Sequence, residues 1–147
     1  MKQIKHIGVY GLLVKENKIL LIKKYGGPYD GKLDLPGGTI EFNEGIEEAL
    51  IREFKEEVGI DILDYKLFDV VSTNVKWIHK NDELETKHIA ILYKISNYEN
   101  DIKDNIEITE INDESMGAEY YDIDLLTDDK LSNIARLAIE GLNVKDI

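Results

Sequence analysis

The segment GGTIEFNEGIEEALIREFKEEVGI, Gly37 to Ile60, constrains this chain more than any other. It crowds glutamates into one stretch whose apolar residues recur at helical spacing. The pattern predicts a helix from Asn43 or Glu44 to Val58, with Asn43 as N-cap and Gly59 just past the end in the left-handed region. At about 100° per residue, Leu50, Ile51, Phe54 and Val58 fall together and form a core face. Glu44, Glu48, Arg52 and Lys55 fall on a side that water can reach. Glu53, Glu56 and Glu57 make a third group, next to the apolar Ile46 and Ala49, so the acids are not centred on the solvent face. Like charges at this spacing cost a helix about 0.2–0.5 kcal/mol per pair, and Arg52 and Lys55 offset only part of that. A hard divalent cation would relieve the rest, because carboxylate oxygens are the ligands that Mg²⁺ and Mn²⁺ prefer. Such a site suits metal-assisted attack of water on a phosphoryl centre. The rival reading is a solvated acidic surface, which is the ordinary fate of a single glutamate.

Length and composition narrow the frame around this helix. The 147 residues fit one domain spanning 1–147, and 43% hydrophobic content supplies a core. A formal charge of -12 disfavours a nucleic-acid polymer as partner, while a small phosphate ligand needs only local positive charge. There are no cysteines, which excludes disulfides, thiolate metal sites and cysteine nucleophiles. No apolar run approaches a membrane span and the start lacks a signal pattern, so a soluble, cytoplasmic chain is expected. Whether it forms a homodimer is left open.

Elsewhere the pattern alternates. IGVYGLLVKENKILLIKK, Ile7 to Lys24, reads as a hairpin with Glu16 and Asn17 near its turn. Tyr25 to Gly38 is rich in Gly, Pro and Asp and reads as loop. Lys66–Ile78 and Thr86–Ser96 read as strands around an acidic turn. The polar run that follows reads as loop with a short strand, and GAEYYDID as a last strand. Thr127–Leu142 reads as a terminal amphipathic helix capped by Thr127, its apolar stripe formed by Leu131, Ile134, Ala135, Ala138 and Ile139. The order gives an α+β fold, a mixed β-sheet with helices packed on it.

The spacing is more specific than the composition. Gly38, five residues, Glu44, seven residues, then REFKEEVGI from Arg52 to Ile60 resembles the Nudix box of the Nudix hydrolase (MutT-like) family. Phe54 and Ile60 fill its bulky apolar positions, Phe being less usual there. LDLPGG, the opening hairpin and MGAEYYDID resemble family segments more loosely. The resemblance implies an αβα sandwich with a loop–helix–loop catalytic motif. It implies that Glu53, Glu56 and Glu57 bind Mg²⁺ or Mn²⁺, that backbone near Gly37 or Gly38 adds a contact, and that Glu44 supports the metal site. Arg52 would hold the glutamates through its planar fork. The implied reaction is hydrolysis of a nucleoside diphosphate linked to another moiety; the alternative is a Nudix-fold module that senses nucleotides without turnover. The box does not fix the general base. Glu57 ranks first, with Glu83, Glu85, Glu107, Glu110 and Glu114 as candidates outside it.

Substrate contacts are less legible. Tyr25 and Tyr29 are candidates to stack on a base, since their loop leads into Gly37; Tyr10, Trp77 and Tyr93 have the same chemistry, with core packing as the rival role. Lys23, Lys24 and Lys32 are candidates for phosphate, against solvated lysines as the plainer reading. His6, His79 and His88 have no ligand spacing, so no transition metal is assigned to them.

Overall fold

The computed structural model describes residues 1–102 and 115–145. The segment 103–114, which carries Glu107, Glu110 and Glu114 and the short strand expected there, lies outside the described residues. The described elements run β1 Lys2–Leu12, β2 Val14–Lys15, β3 Lys18–Lys24, β4 Leu33–Asp34, β5 Gly37–Thr39, α1 Ile46–Glu57, β6 Asp61–His79, β7 Asp82–Glu99, β8 Ser115–Asp122 and α2 Asn133–Lys145. They form two sheets. One has the order β5-β1-β7-β6, with β1 parallel to β7 and the other pairs antiparallel. The other is built on β3, which pairs with β2, β4 and β8. No helix among the described residues is long and apolar enough to cross a membrane.

Strand β3 shows why two sheets and two helices are needed. Ile19, Leu20, Leu21 and Ile22 are all fully buried, so both faces of the strand are covered. Leu20 and Ile22 join a cluster with Ala49, Leu50, Phe54 and Val58 of the α1 region. Ile19 and Leu21 join a second cluster with Ile134, Ala135 and Ala138 of α2. The expected apolar stripe of the last helix is therefore buried as read. Of the expected α1 face, Leu50, Phe54 and Val58 are fully buried, while Ala49 takes the place of Ile51, which is 38% exposed.

The opening hairpin turns where expected, with Glu16 and Asn17 both at positive φ (52° and 63°). Only its tip is a hairpin, however: β1 lies in one sheet, and the chain crosses to the other before β2. The β6–β7 hairpin is longer than its sequence signal. Its turn is Lys80-Asn81, at φ 48° and 70°, and the acidic residues after it belong to β7. Two caps are also corrected. Helix α1 starts at Ile46 behind Gly45, not at Asn43, and the Glu48 carboxylate accepts the Gly45 N–H at 3.0 Å. Thr127 precedes a short 3₁₀ turn at Asp128–Lys130, and Ser132 caps α2 through its Oγ, which accepts the Ala135 N–H at 3.0 Å. The helix starts late because β4 holds the chain: Leu131 bridges Leu33, and the Ser132 N–H bonds the Leu33 carbonyl at 2.8 Å.

Candidate active site

The glycine pair preceding α1 is fitted to the helix behind it. Gly37 has φ 143°, and a Cβ there would lie 2.1 Å from the Val9 carbonyl oxygen. A Cβ on Gly38 would lie 2.8 Å from Glu53 Oε1. The backbone of β5 thus runs directly against the carboxylate of Glu53, and any side chain at Gly38 would displace it. Glu57 is tied to the same strand, accepting the Gly37 N–H at 2.8 Å. The helix ends just beyond, where Gly59 at φ 85° donates its N–H to the Phe54 carbonyl at 3.0 Å.

Arg52 occupies the opposite side of the cluster. Its Nε and Nη2 donate to the two oxygens of Glu44, at 2.9 and 2.7 Å. Nη1 donates to Glu53 at 3.1 Å and to Glu56 at 3.2 Å, and Nη2 reaches the Thr39 carbonyl at 3.0 Å. One guanidinium joins three glutamates and the loop backbone, a task its fixed fork suits and an ammonium does not. Glu44 and Arg52 are therefore paired with each other, rather than forming the solvated face expected of them. Those bonds, with one from the Glu41 N–H, bring the Glu44 carboxyl down to about 2.

Glu53 and Glu57 experience the reverse. Burial raises the Glu57 carboxyl well above the usual carboxylate range, against the pull of Lys24, and the neighbouring Glu53 raises it further. Burial also raises Glu53, with Arg52 opposing. Glu56 is the exposed member, its side chain 57% accessible. The donors are hard oxygens, two of them desolvated and under mutual repulsion, and that set fits a divalent ion such as Mg²⁺ or Mn²⁺. It is not drawn into coordination geometry: among the described residues, no three His, Cys, Asp or Glu side chains are gathered as a metal cluster. Glu56 is turned to Arg52 and would have to leave it to ligate.

These acids form one wall of a cleft of about 270 Å³, lined also by His6, Tyr10, Lys24, Gly37, Gly38 and Thr39. A smaller cleft of about 80 Å³ shares His6, Tyr10 and Lys24 with it and adds Gly26, Gly27, Pro28, Tyr29, Asp34 and His88. Lys24 thus stands at the junction, facing the carboxylates of Glu57 and Asp34. Asp34 is fully buried, accepts bonds from Ser132 Oγ and the Leu35 N–H, and is raised by burial.

The sequence candidates divide accordingly. Glu53, Glu56, Glu57 and Gly38 come together in the large cleft. Glu44 stands outside its lining, on Arg52. Tyr29 lines the small cleft, whereas Tyr25 is 43% exposed and lines neither. Tyr10 lines both. Of the lysines, Lys24 enters the clefts; Lys32 bonds the Asp129 carbonyl instead. Trp77 donates to Thr86 Oγ1 at 2.9 Å, and Tyr93 is buried beside Tyr65. Glu83 and Glu85 do not line the clefts, and Glu85 accepts a bond from Gln3 at 2.9 Å. His6 and His88 have no motif to mark them, Asp34 lies in the LDLPGG segment without being singled out there, and Thr39 fills an unspecified position between Gly38 and Glu44. His6 and His88 are register partners on β1 and β7, a neighbourhood that only the sheet order creates.

A double-sheet core with a glutamate-bearing helix set against a Gly-Gly turn is the architecture of the Nudix class. The family model of the NUDIX domain matches residues 3–140, and the chain belongs to that family. An ADP-ribose pyrophosphatase from Methanocaldococcus jannaschii is 50% identical over 54 residues, 37% of this chain and 32% of that protein. The chain thus spans about a third of that relative's length. An 8-oxo-dGTP diphosphatase from Buchnera aphidicola is 33% identical over 91 residues, 61% of this chain and 70% of that one. The crystal structure of a MutT NUDIX hydrolase from Burkholderia pseudomallei superimposes with a TM-score of 0.75 at 26% identity, covering 94% of this chain and 98% of that one. The αβα sandwich expected from the sequence is the fold found.

Proposed function

We propose that this chain hydrolyses the diphosphate linkage of a small nucleotide-type substrate, with Mg²⁺ or Mn²⁺ held by Glu53, Glu56 and Glu57 beside the backbone of Gly38. The observation that carries this reading is the buried Glu57 beside the half-buried Glu53, both lining an open cleft that Lys24 also lines. A solvated acidic surface would leave Glu57 exposed, and a purely structural buried carboxylate would be matched by a hydrogen-bonded cation, whereas the bond Glu57 accepts comes from the Gly37 N–H. An ion bound there would screen phosphate charge and lower the pKa of a water molecule.

The chain's own residues have separable tasks. Lys24 meets phosphate charge between the two clefts. Arg52 is a positioning residue that aims Glu53 and Glu56 from behind, with Glu44 holding Arg52 in turn. The Gly37 N–H fixes one oxygen of Glu57, and burial raises that carboxyl well above the usual carboxylate range, which makes it a stronger base than an exposed glutamate. Glu57 is therefore the first candidate for general base within the box. We place the reaction in the cytoplasm, in a single domain acting on a small molecule.

The test is a substrate panel in Mg²⁺: ADP-ribose, 8-oxo-dGTP, other dNTPs, nucleotide sugars, dinucleoside polyphosphates and capped RNA, with released phosphate, pyrophosphate and nucleoside monophosphate measured. Turnover of at least one nucleotide diphosphate is expected. Mg²⁺-dependent nucleotide binding with no turnover would overturn the hydrolase reading in favour of a sensing module.

A further inference from the structure

The imidazole of His88 is only 2% exposed, and both its nitrogens are bonded. Tyr10 Oη lies 2.8 Å from Nε2, and Tyr29 Oη lies 2.8 Å from Nδ1. A neutral imidazole has one donor and one acceptor, so one hydroxyl donates to the ring and the other accepts from it. Burial, with His6 and Lys24 nearby, lowers the His88 pKa to about 3, so the ring stays a neutral two-way connector through the physiological range.

The three residues come from distant parts of the chain. Tyr10 lies on β1 beneath the carboxylate cleft. Tyr29 lies in the loop after β3, which wraps on itself: the Lys24 N–H bonds the Lys32 carbonyl at 2.9 Å, the Gly31 N–H bonds the Lys24 carbonyl at 3.0 Å, and Asp30 accepts the Gly26 N–H at 2.7 Å. His88 lies on β7 opposite His6, their rings 4.7 Å apart, and His6 Nε2 lies 2.8 Å from Thr39 Oγ1, next to Gly38. One connected set of side chains therefore runs from the glycine turn to the loop. Gly8 leaves it room, because a Cβ there would lie 2.5 Å from Tyr10 Oη. Apolar residues could fill this volume with no polar partner to satisfy; a fully bonded polar network instead fixes one arrangement of the pieces it joins.

We propose that His88 is a positioning residue for the hydrolysis inferred above, holding Tyr10 under the carboxylate cleft and Tyr29 over the smaller one, so that Lys24 and the loop to Lys32 keep one geometry around a bound substrate. It rests on the hydrolase reading for its kinetic consequence and on the loop's dynamics for a consequence independent of it.

The experiment compares His88→Phe, Tyr29→Phe and the double variant with the wild type on the best substrate of the panel, and follows amide exchange at residues 25–32. Each single variant is expected to raise KM about tenfold with kcat within about threefold, and the double variant to be no worse than the worse single. Exchange in the loop should speed up about tenfold while α1 keeps its protection. His88→Gln, which can also donate and accept, should recover part of the KM loss. Unchanged KM and loop exchange in folded variants would overturn the proposal, as would single effects that multiply in the double variant. A wild type that hydrolyses nothing would refute the hydrolase reading; loop exchange would then still judge the link, accelerated if His88 pins the loop and unchanged if it does not. Should His88→Phe fail to fold, Tyr29→Phe removes the same bond by deleting a single hydroxyl and decides the matter.

Discussion

The two helices carry the same pair at the same spacing. Arg52 and Glu56 on α1, and Arg136 and Glu140 on α2, are each i,i+4 pairs at 3.2 Å. On α2 the pair lies on the surface of a helix whose other face fills the core. On α1 the arginine also holds Glu44, Glu53 and the Thr39 carbonyl, and the acids beside it continue inward to the buried Glu57. The difference shows where function enters an amphipathic helix. An exposed ion pair is worth little to either stability or chemistry. Burying like charges against a glycine turn is costly unless something in the cleft uses them.

That contrast predicts a graded set of losses. Glu57→Gln should lower kcat/KM by more than about a hundredfold, the range for losing a positioned acid–base group, while leaving the metal-free fold intact or more stable. Gly38→Ala should come next, because its Cβ would push the Glu53 carboxylate aside; activity should fall at least about tenfold with far-UV circular dichroism unchanged. Arg52→Lys should cost about tenfold in kcat/KM, since an ammonium cannot hold Glu44, Glu53 and Glu56 together. Arg136→Ala should change unfolding free energy by less than about 0.5 kcal/mol and leave kcat unaltered. If Arg136→Ala matched Arg52→Lys in kinetic effect, the distinction between the helices would collapse.

Titration separates the same regions. Glu53 and Glu57 have raised carboxyl pKa values when folded, so the native state holds protons that the unfolded chain has released. In chelator, their contribution to stability is therefore lost as pH rises from the ordinary glutamate range through the folded pKa values. Glu44 acts the other way: its contribution is full above the ordinary range and is lost as pH falls toward about 2. Melting curves in chelator should show the first loss as pH rises above the ordinary glutamate range, and Mg²⁺ should restore Tm more at the high-pH end of the series than at the low-pH end. Equal Mg²⁺ effects at both ends of the series would sever the link between burial and ion binding.

How much of this the sequence discloses follows from how local each feature is. The glutamate cluster and its glycines are legible because they lie within one helix and its flanks, at fixed spacing, and the sandwich is legible through the family resemblance which that spacing carries. The start of α1 was misplaced because Asn43 offers a cap by residue type, whereas Glu44 is drawn to Arg52 and leaves Gly45 to begin the helix. The cap at Thr127 failed for a tertiary reason, the hold of β4 on Leu131 and Ser132. The rest of the cleft is non-local. Lys24 at the end of β3, His6 on β1 and His88 on β7 become neighbours only through the parallel register of β1 with β7 and the packing of one sheet on the other. Spacing along the chain carries no trace of that.

On the proposed function, the buried carboxylate of Glu57 holds a divalent ion rather than merely joining α1 to Gly37. Calorimetric titration of Mn²⁺ into the wild type and Glu57→Gln at neutral pH tests it most directly, because glutamine can still accept the Gly37 N–H. The variant should bind Mn²⁺ at least about tenfold more weakly, roughly 1.4 kcal/mol. Equal Mn²⁺ affinity in two equally folded proteins would contradict it.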